Sequence, residues 1–164
     1  MIKLYVLLGG NLGDKKRIFS EALALLNSRV GALTNQSSIY ETEPWGFESS
    51  DLFWNQAIEI ETNLSPMSVL SQTKKIEQDL GRVRKSNQYD SRLIDIDILF
   101  HGDFIHNQKD LVIPHPRLQD RKFALLPLCE IAPDLIHPVF QKTIRQLLIE
   151  CTDKLNVDKI NSHQ

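Results

Sequence analysis

The chain has 164 residues, 41% of them hydrophobic and 24% charged, with a formal net charge of −2. That length suits a single domain over residues 1–164 with a real hydrophobic core, and the composition is that of an ordinary globule. Mild acidity argues against generalised nucleic-acid binding. Only two cysteines, Cys129 and Cys151, occur, both among apolar neighbours, which argues against a disulfide framework or a zinc site.

Ile2 to Leu8 reads as a short buried strand ended by Gly9 and Gly10. Its apolar run is too short for a signal peptide or membrane span, so the cytoplasm is the expected location and no membrane is an expected partner. Asp14 is placed to cap a helix from about Lys15 to Ser28, with Ile18, Phe19, Ala22, Leu23 and Leu26 on one apolar face. A second strand is expected near Thr34 to Glu41, and Glu43 to Asp51, with Pro44 and Gly46, reads as a loop. From Phe53 to Thr62 a third strand puts Trp54, Ile58 and Ile60 on one face and Phe53 and Asn55 on the other.

Ser65-Pro66 is a helix start, a cap followed by a first-turn proline. Val69, Leu70, Thr73, Ile76 and Leu80 keep helical spacing until Gly81 stops it. A strand through Asp95 follows, which makes the order β-α-β-β-α-β, the split βαβ or ferredoxin-like arrangement of the α+β class, with helices packed on an antiparallel sheet. The tail adds the Pro-punctuated segment Ile113-Pro114-His115-Pro116, a helix around Arg121 to Ile131 disturbed by Pro127, and a last helix from about Thr143 to Cys151.

The most informative stretch runs from Gly81-Arg82-Val83-Arg84-Lys85 to Arg92-Leu93-Ile94-Asp95-Ile96-Asp97. It brings guanidinium groups and two carboxylates into one short segment, the two kinds of charge that a metal-chelated polyphosphate needs. Residues two apart on a strand share a face, ~7 Å apart at the backbone. Two such carboxylates leaning together suit a pair of Mg²⁺ ions about 3.5–4 Å apart. The plainer reading is a wet strand face, but strands avoid Asp and neighbouring carboxylates repel, so a cationic partner is expected. From Lys74 to Arg92 six basic and three acidic residues give +3, against −5 for the rest of the chain. That asymmetry favours a localised anion site.

The element order, with Gly-Arg-x-Arg-Lys, Arg-x-x-Asp-x-Asp, Leu8-Gly9-Gly10-Asn11-Leu12-Gly13-Asp14, Val112-Ile113-Pro114-His115 and Leu126-Pro127-Leu128, resembles the 6-hydroxymethyl-7,8-dihydropterin pyrophosphokinase family of folate synthesis. The resemblance implies transfer of the β,γ-diphosphate of ATP to the pterin hydroxymethyl group with release of AMP. It implies ATP and the pterin as small-molecule partners, no nucleic acid, and a monomer.

The resemblance further implies that Asp95 and Asp97 hold two Mg²⁺ ions and that Arg82, Arg92 and Asp97 form the catalytic set. ATP would be met by Leu70, Lys74, Glu77, Arg84, Tyr89, Arg92, Ile98, Val112, His115 and Arg121. Pterin would be met by Asn11, Thr42, Pro44, Trp45, Phe53, Asn55, Asp95 and Phe123, with Phe53 and Phe123 on opposite sides of the ring and Asn55 reading its donor–acceptor edge. The Gly9–Gly13 loop would be a flexible lid; its spacing matches neither a P-loop nor a dinucleotide fingerprint. Lys74, Tyr89, Asp90, Asp110 and Pro116 depart from the common pattern, all around ATP.

Two other readings stay open on the residues. A nucleotidyl transferase with a palm-like sheet also carries paired aspartates, and the reaction product separates the two. A ferredoxin-like binding module for RNA or a partner protein would need a basic sheet face with exposed aromatics; the Asp95 and Asp97 face is acidic.

Overall fold

A computed structural model of the chain describes residues 1–43, 52–81 and 93–160. Its first half runs β1 (Ile2–Gly10), α1 (Lys15–Arg29), β2 (Ala32–Gln36), β3 (Tyr40–Thr42), β4 (Phe53–Thr62), α2 (Pro66–Asp79) and β5 (Asp95–His101). The second half adds β6 (His106–Gln108), β7 (Leu111–Ile113), a 3₁₀ turn (Leu118–Asp120), α3 (Lys122–Ile131), α4 (Ile144–Glu150) and β8 (Val157–Lys159).

The sheet order is β5-β1-β4-β3-β8, with β2 also on β4, and every pairing in it is antiparallel. With β2 and β3 counted as one interrupted strand, this is the expected ferredoxin-like core. The interruption has a local cause at Ser37. Its hydroxyl accepts the Ala57 N–H at 2.9 Å, and its carbonyl accepts the Gln56 amide at 2.8 Å. Only the Ser37 N–H keeps a main-chain bond, to Ala57 O at 2.9 Å, while side chains take the other two bonds there, and the one strand expected from Thr34 to Glu41 becomes two.

Helix starts follow their caps. Asp14 accepts the Arg17 N–H and Ser65 accepts the Ser68 N–H, both at 3.2 Å, and Pro66 opens α2. Thr143 and Gln146 form a reciprocal capping box on α4. Pro127 lies within α3, which nevertheless runs unbroken from Lys122 to Ile131.

The sheet separates two cores. Leu4, Val6 and Leu8 of β1, Ile58 and Ile60 of β4, and Ile96 and Ile98 of β5 face α1 and α2. Tyr5, Leu7, Ala57 and Leu99 face α3 and α4 instead. That period-2 division decides which side chains are free to form a site. Trp54 goes to the α1 side, edge-on to Phe19 at 5.9 Å between ring centroids, and its indole N–H donates to Glu41. Phe53 and Asn55 therefore point the other way.

Candidate active site

The register of the sheet assembles the site. Asp97 pairs with Leu7, which pairs with Ala57; Asp95 pairs with Gly9, which pairs with Asn55, which pairs with Tyr40. Directly opposed residues share a face, and Leu7 and Ala57 belong to the α3/α4 core. Asp95, Asp97, Asn55 and Tyr40 thus stand on that same face. Phe53 and its partner Thr42 extend it by one more row. Both aspartates are half-buried, and Thr42 and Asn55 are buried.

Gly9 is the floor of this face. A Cβ added there would meet Asn55 Oδ1 at 3.1 Å, so the Asn55 amide lies over a position with no side chain. Asp95 and Asn55 are separated by the single strand β1, ~10 Å across two inter-strand spacings. The result is a slot with a carboxylate on one wall and a carboxamide on the other. The lid reading of Gly9–Gly13 needs correction at its start. Gly9 and Gly10 are sheet residues paired with Asn55 and Trp54, and Asn11 is only 2% exposed.

A cationic group acts on Asp97. Arg121, just before α3, sits with its guanidinium carbon 5.6 Å from the Phe123 ring centroid. Burial lowers its pKa below the usual guanidinium value; the Asp97 carboxylate offsets only part of this, and Arg117 lowers it further. Arg121 therefore lies against the Phe123 ring within the electrostatic reach of Asp97.

His115 is fixed from two directions. Its N–H donates to Leu99 O at 3.1 Å, and its Nδ1 accepts the Arg117 N–H at 3.2 Å. Burial first, and then the charges of Arg121 and Arg117, lower its pKa to about 4. The ring is thus neutral near pH 7. With Nδ1 accepting, its proton is assigned to Nε2, which leaves an N–H donor of the kind phosphate oxygens accept.

The other residues expected to meet the substrates have different surroundings. Lys74 is exposed on α2, Leu70 is half-buried beside the first core, and Val112 is half-buried on β7. Glu77, 7% exposed, accepts the Ile96 N–H at 2.8 Å, so it fastens α2 to the backbone between the two aspartates. Ile98 turns its side chain into the α1/α2 core. Any meeting of Ile98 with a nucleotide is confined to its main chain at the outer edge of β5, the last strand of the sheet. Pro44, Trp45, Arg82, Arg84, Lys85, Tyr89 and Arg92 lie outside the described residues.

Three features escaped the sequence reading. Gly9 looked like loop punctuation, though its place two residues beyond Leu7 in an alternating run was the available signal. Arg117 bears on both His115 and Arg121; its signal was a second arginine one helical turn from Arg121. Glu130 accepts the Ser38 N–H at 2.8 Å and the Tyr40 hydroxyl at 2.7 Å, tying α3 to β3. Burial alone would raise the Glu130 pKa, but those hydrogen bonds and Lys159 hold it below the usual carboxylate value. No local pattern announces that tie.

Among the described residues no three His, Cys, Asp or Glu side chains gather as a metal cage, and no helix is long and apolar enough to cross a membrane. Two hard carboxylates on one strand face still suit Mg²⁺, which keeps waters and substrate phosphate oxygens as its other ligands. The donor set therefore fits that ion.

Comparison with known proteins gives a consistent result. The family model for 7,8-dihydro-6-hydroxymethylpterin-pyrophosphokinase matches residues 5–133. A 2-amino-4-hydroxy-6-hydroxymethyldihydropteridine pyrophosphokinase of Porphyromonas gingivalis is 45% identical over 84% of this chain and 95% of its own length. The enzyme of the same name from Bacillus subtilis is 41% identical over 77% of this chain and 76% of its own. A crystal structure of Plasmodium falciparum HPPK-DHPS with STZ-DHP superposes with a TM-score of 0.76 at 20% identity, over 91% of this chain. This chain spans 43% of that longer one, and the likeness bears on fold alone.

Proposed function

The chain belongs to the 7,8-dihydro-6-hydroxymethylpterin-pyrophosphokinase family, and from that premise we propose that it transfers diphosphate from ATP to the hydroxymethyl group of 6-hydroxymethyl-7,8-dihydropterin in folate biosynthesis. The pterin hydroxyl oxygen bonds to the β-phosphorus as the bond from that phosphorus to the α,β-bridging oxygen breaks. AMP departs with that oxygen, and the hydroxyl proton passes to solvent or to a nearby base. Residues 1–164 serve as one domain, a monomer in the cytoplasm, where ATP is supplied.

One observation carries the reading: a single sheet face presents Asp95 and Asp97 beside Asn55 and Phe53, with Gly9 as the floor between them. Asp95 and Asp97 would hold two Mg²⁺ ions, which when bound neutralise triphosphate charge and orient the reacting phosphate. Neutral His115 donates Nε2–H, and Arg121 offers a planar fork, to phosphate oxygens. Arg82, Arg84 and Arg92 supply further positive charge by the family resemblance. Phe53 and Phe123 would stack on the pterin, Asn55 would read its edge, and Thr42 and Asn11 would close the pocket. Catalysis then comes from positioning and charge neutralisation rather than from covalent chemistry.

Phosphorus NMR of the chain with ATP, Mg²⁺ and hydroxymethyl-dihydropterin tests this directly. AMP and a new diphosphate ester are expected in equal amounts. Release of ADP or of free pyrophosphate instead would overturn the reading, the latter in favour of nucleotidyl transfer.

A further inference from the structure

The C-terminal segment Cys151–Ile160 lies wholly beyond the family match, which ends at residue 133, yet it touches both walls of the pocket. Asp153 Oδ2 accepts the Lys122 N–H at 3.1 Å, while Oδ1 accepts the Leu155 N–H at 3.0 Å. Lys122 is the first residue of α3 and stands between Arg121 and Phe123. The helix has no cap of its own, since the Arg121 side chain makes no capping bond. A carboxylate from the tail thus meets both the unpaired N–H and the positive end of the helix dipole.

Four residues on, the tail becomes β8. Val157 pairs with Thr42 and Lys159 with Tyr40, the Ile160 N–H reaches Ile39 O at 2.8 Å, and Lys159 Nζ lies 3.7 Å from Glu130 Oε1. The same ten residues thereby hold α3 at its N-terminus, touch it again near its C-terminus, and brace the strand that carries Thr42. Between those two walls lie Phe123 on one side and Phe53, paired with Thr42, on the other.

We propose that Asp153 is a positioning residue: by capping α3 from the tail it sets the height and direction of Phe123 and Arg121 over the sheet, and so the width of the pterin slot. The inference rests on the assignment of Phe53 and Phe123 as the aromatic walls. Asp153 does not touch substrate; it acts through the Lys122 amide.

The test is calorimetric binding of hydroxymethyl-dihydropterin to the full chain, with Mg²⁺ and a non-hydrolysable ATP analogue present, for Asp153→Ala, Phe123→Ala and the double variant. Asp153→Ala is expected to weaken pterin binding about tenfold, the scale of a lost helix cap. Its effect should be strongly non-additive with Phe123→Ala, because both changes disable the same wall. Asp153→Asn, which keeps an accepting oxygen, should restore most of the affinity. If Asp153→Ala does not fold, Asp153→Glu carries the test, since it keeps the charge and displaces the accepting oxygens by one methylene. Unchanged affinity, or a loss additive with Phe123→Ala, would overturn the proposal. If Phe123→Ala itself leaves pterin binding intact, it is the pocket assignment that fails.

Discussion

Gly9→Ala separates pocket function from stability. The added methyl would lie 3.1 Å from Asn55 Oδ1, whereas ordinary van der Waals contact begins near 3.4 Å. The amide oxygen must therefore retreat by 3.4 − 3.1 = 0.3 Å or rotate away. Gly9 is not among the glycines with positive φ, which among the described residues are Gly13, Gly81 and Gly102, so alanine meets no backbone strain. Removing glycine from the unfolded chain stabilises by about 0.4–1 kcal/mol, and the Asn55 adjustment offsets part of this. A Tm equal to wild type or up to about 4 °C higher is expected. Pterin binding, by contrast, loses much of one hydrogen bond, about 0.5–1.5 kcal/mol, or roughly two- to tenfold in affinity. The assay is calorimetric titration with pterin beside a thermal melt. An unchanged pterin affinity would refute the slot geometry, as would a Tm well below wild type.

Asp97→Asn should lower turnover by about 10²–10³-fold with pterin affinity within twofold of wild type, and excess chelator should abolish turnover of the parent chain; single-turnover quench assays read both. Phe53→Ala should weaken pterin binding about tenfold through lost stacking, seen by calorimetry with an ATP analogue present. For His115 the folded pKa, about 4, lies below the unfolded value of about 6.5, so the unfolded chain binds the extra proton between those two values. Stability that is complete above about pH 6.5 is then lost as pH falls toward 4, on the order of 3 kcal/mol at most from this group. Comparison of urea melts from pH 7 to 4.5 should show a shallower acid limb in His115→Ala. In the parent chain, a His115 ring that titrates near 6.5 by NMR would contradict the burial and tautomer assigned here.

Much of the fold was legible because its elements are locally marked. Phe53–Thr62 follows from the period of two in Trp54, Ile58 and Ile60, and Ser65-Pro66 gives the start of α2 to the residue. The opposition of Trp54 to Phe53 and Asn55 came from the same period of two. The elements that were missed lack such marks. The β6–β7 hairpin turns through Lys109 and Asp110 rather than Asn-Gly or Gly, and β8 is three residues with no apolar rhythm. Gly9 and Gly10 read as a terminator because glycine is poor in strands, while pairing of Gly9 with both Asn55 and Asp95, and of Gly10 with Trp54, keeps them in the sheet.

Within the site, the Asp95 and Asp97 face was set by alternation, but its neighbours are long-range. Asn55 reaches Asp95 only through the register of β1, Arg121 reaches Asp97 from 24 residues along the chain, and Glu130 and Asp153 act from the tail side. No local pattern encodes such partners; they exist only once the second core has packed α3 onto the sheet.

In the proposed reaction Asp95 and Asp97 together hold divalent metal against the nucleotide. Mn²⁺ binding followed by electron paramagnetic resonance, with a non-hydrolysable ATP analogue present, measures it most directly. Two ions per chain are expected for the parent, and a loss of both tight sites in the Asp95→Asn/Asp97→Asn double variant. Undiminished tight Mn²⁺ binding in that variant would show that the metal is held elsewhere.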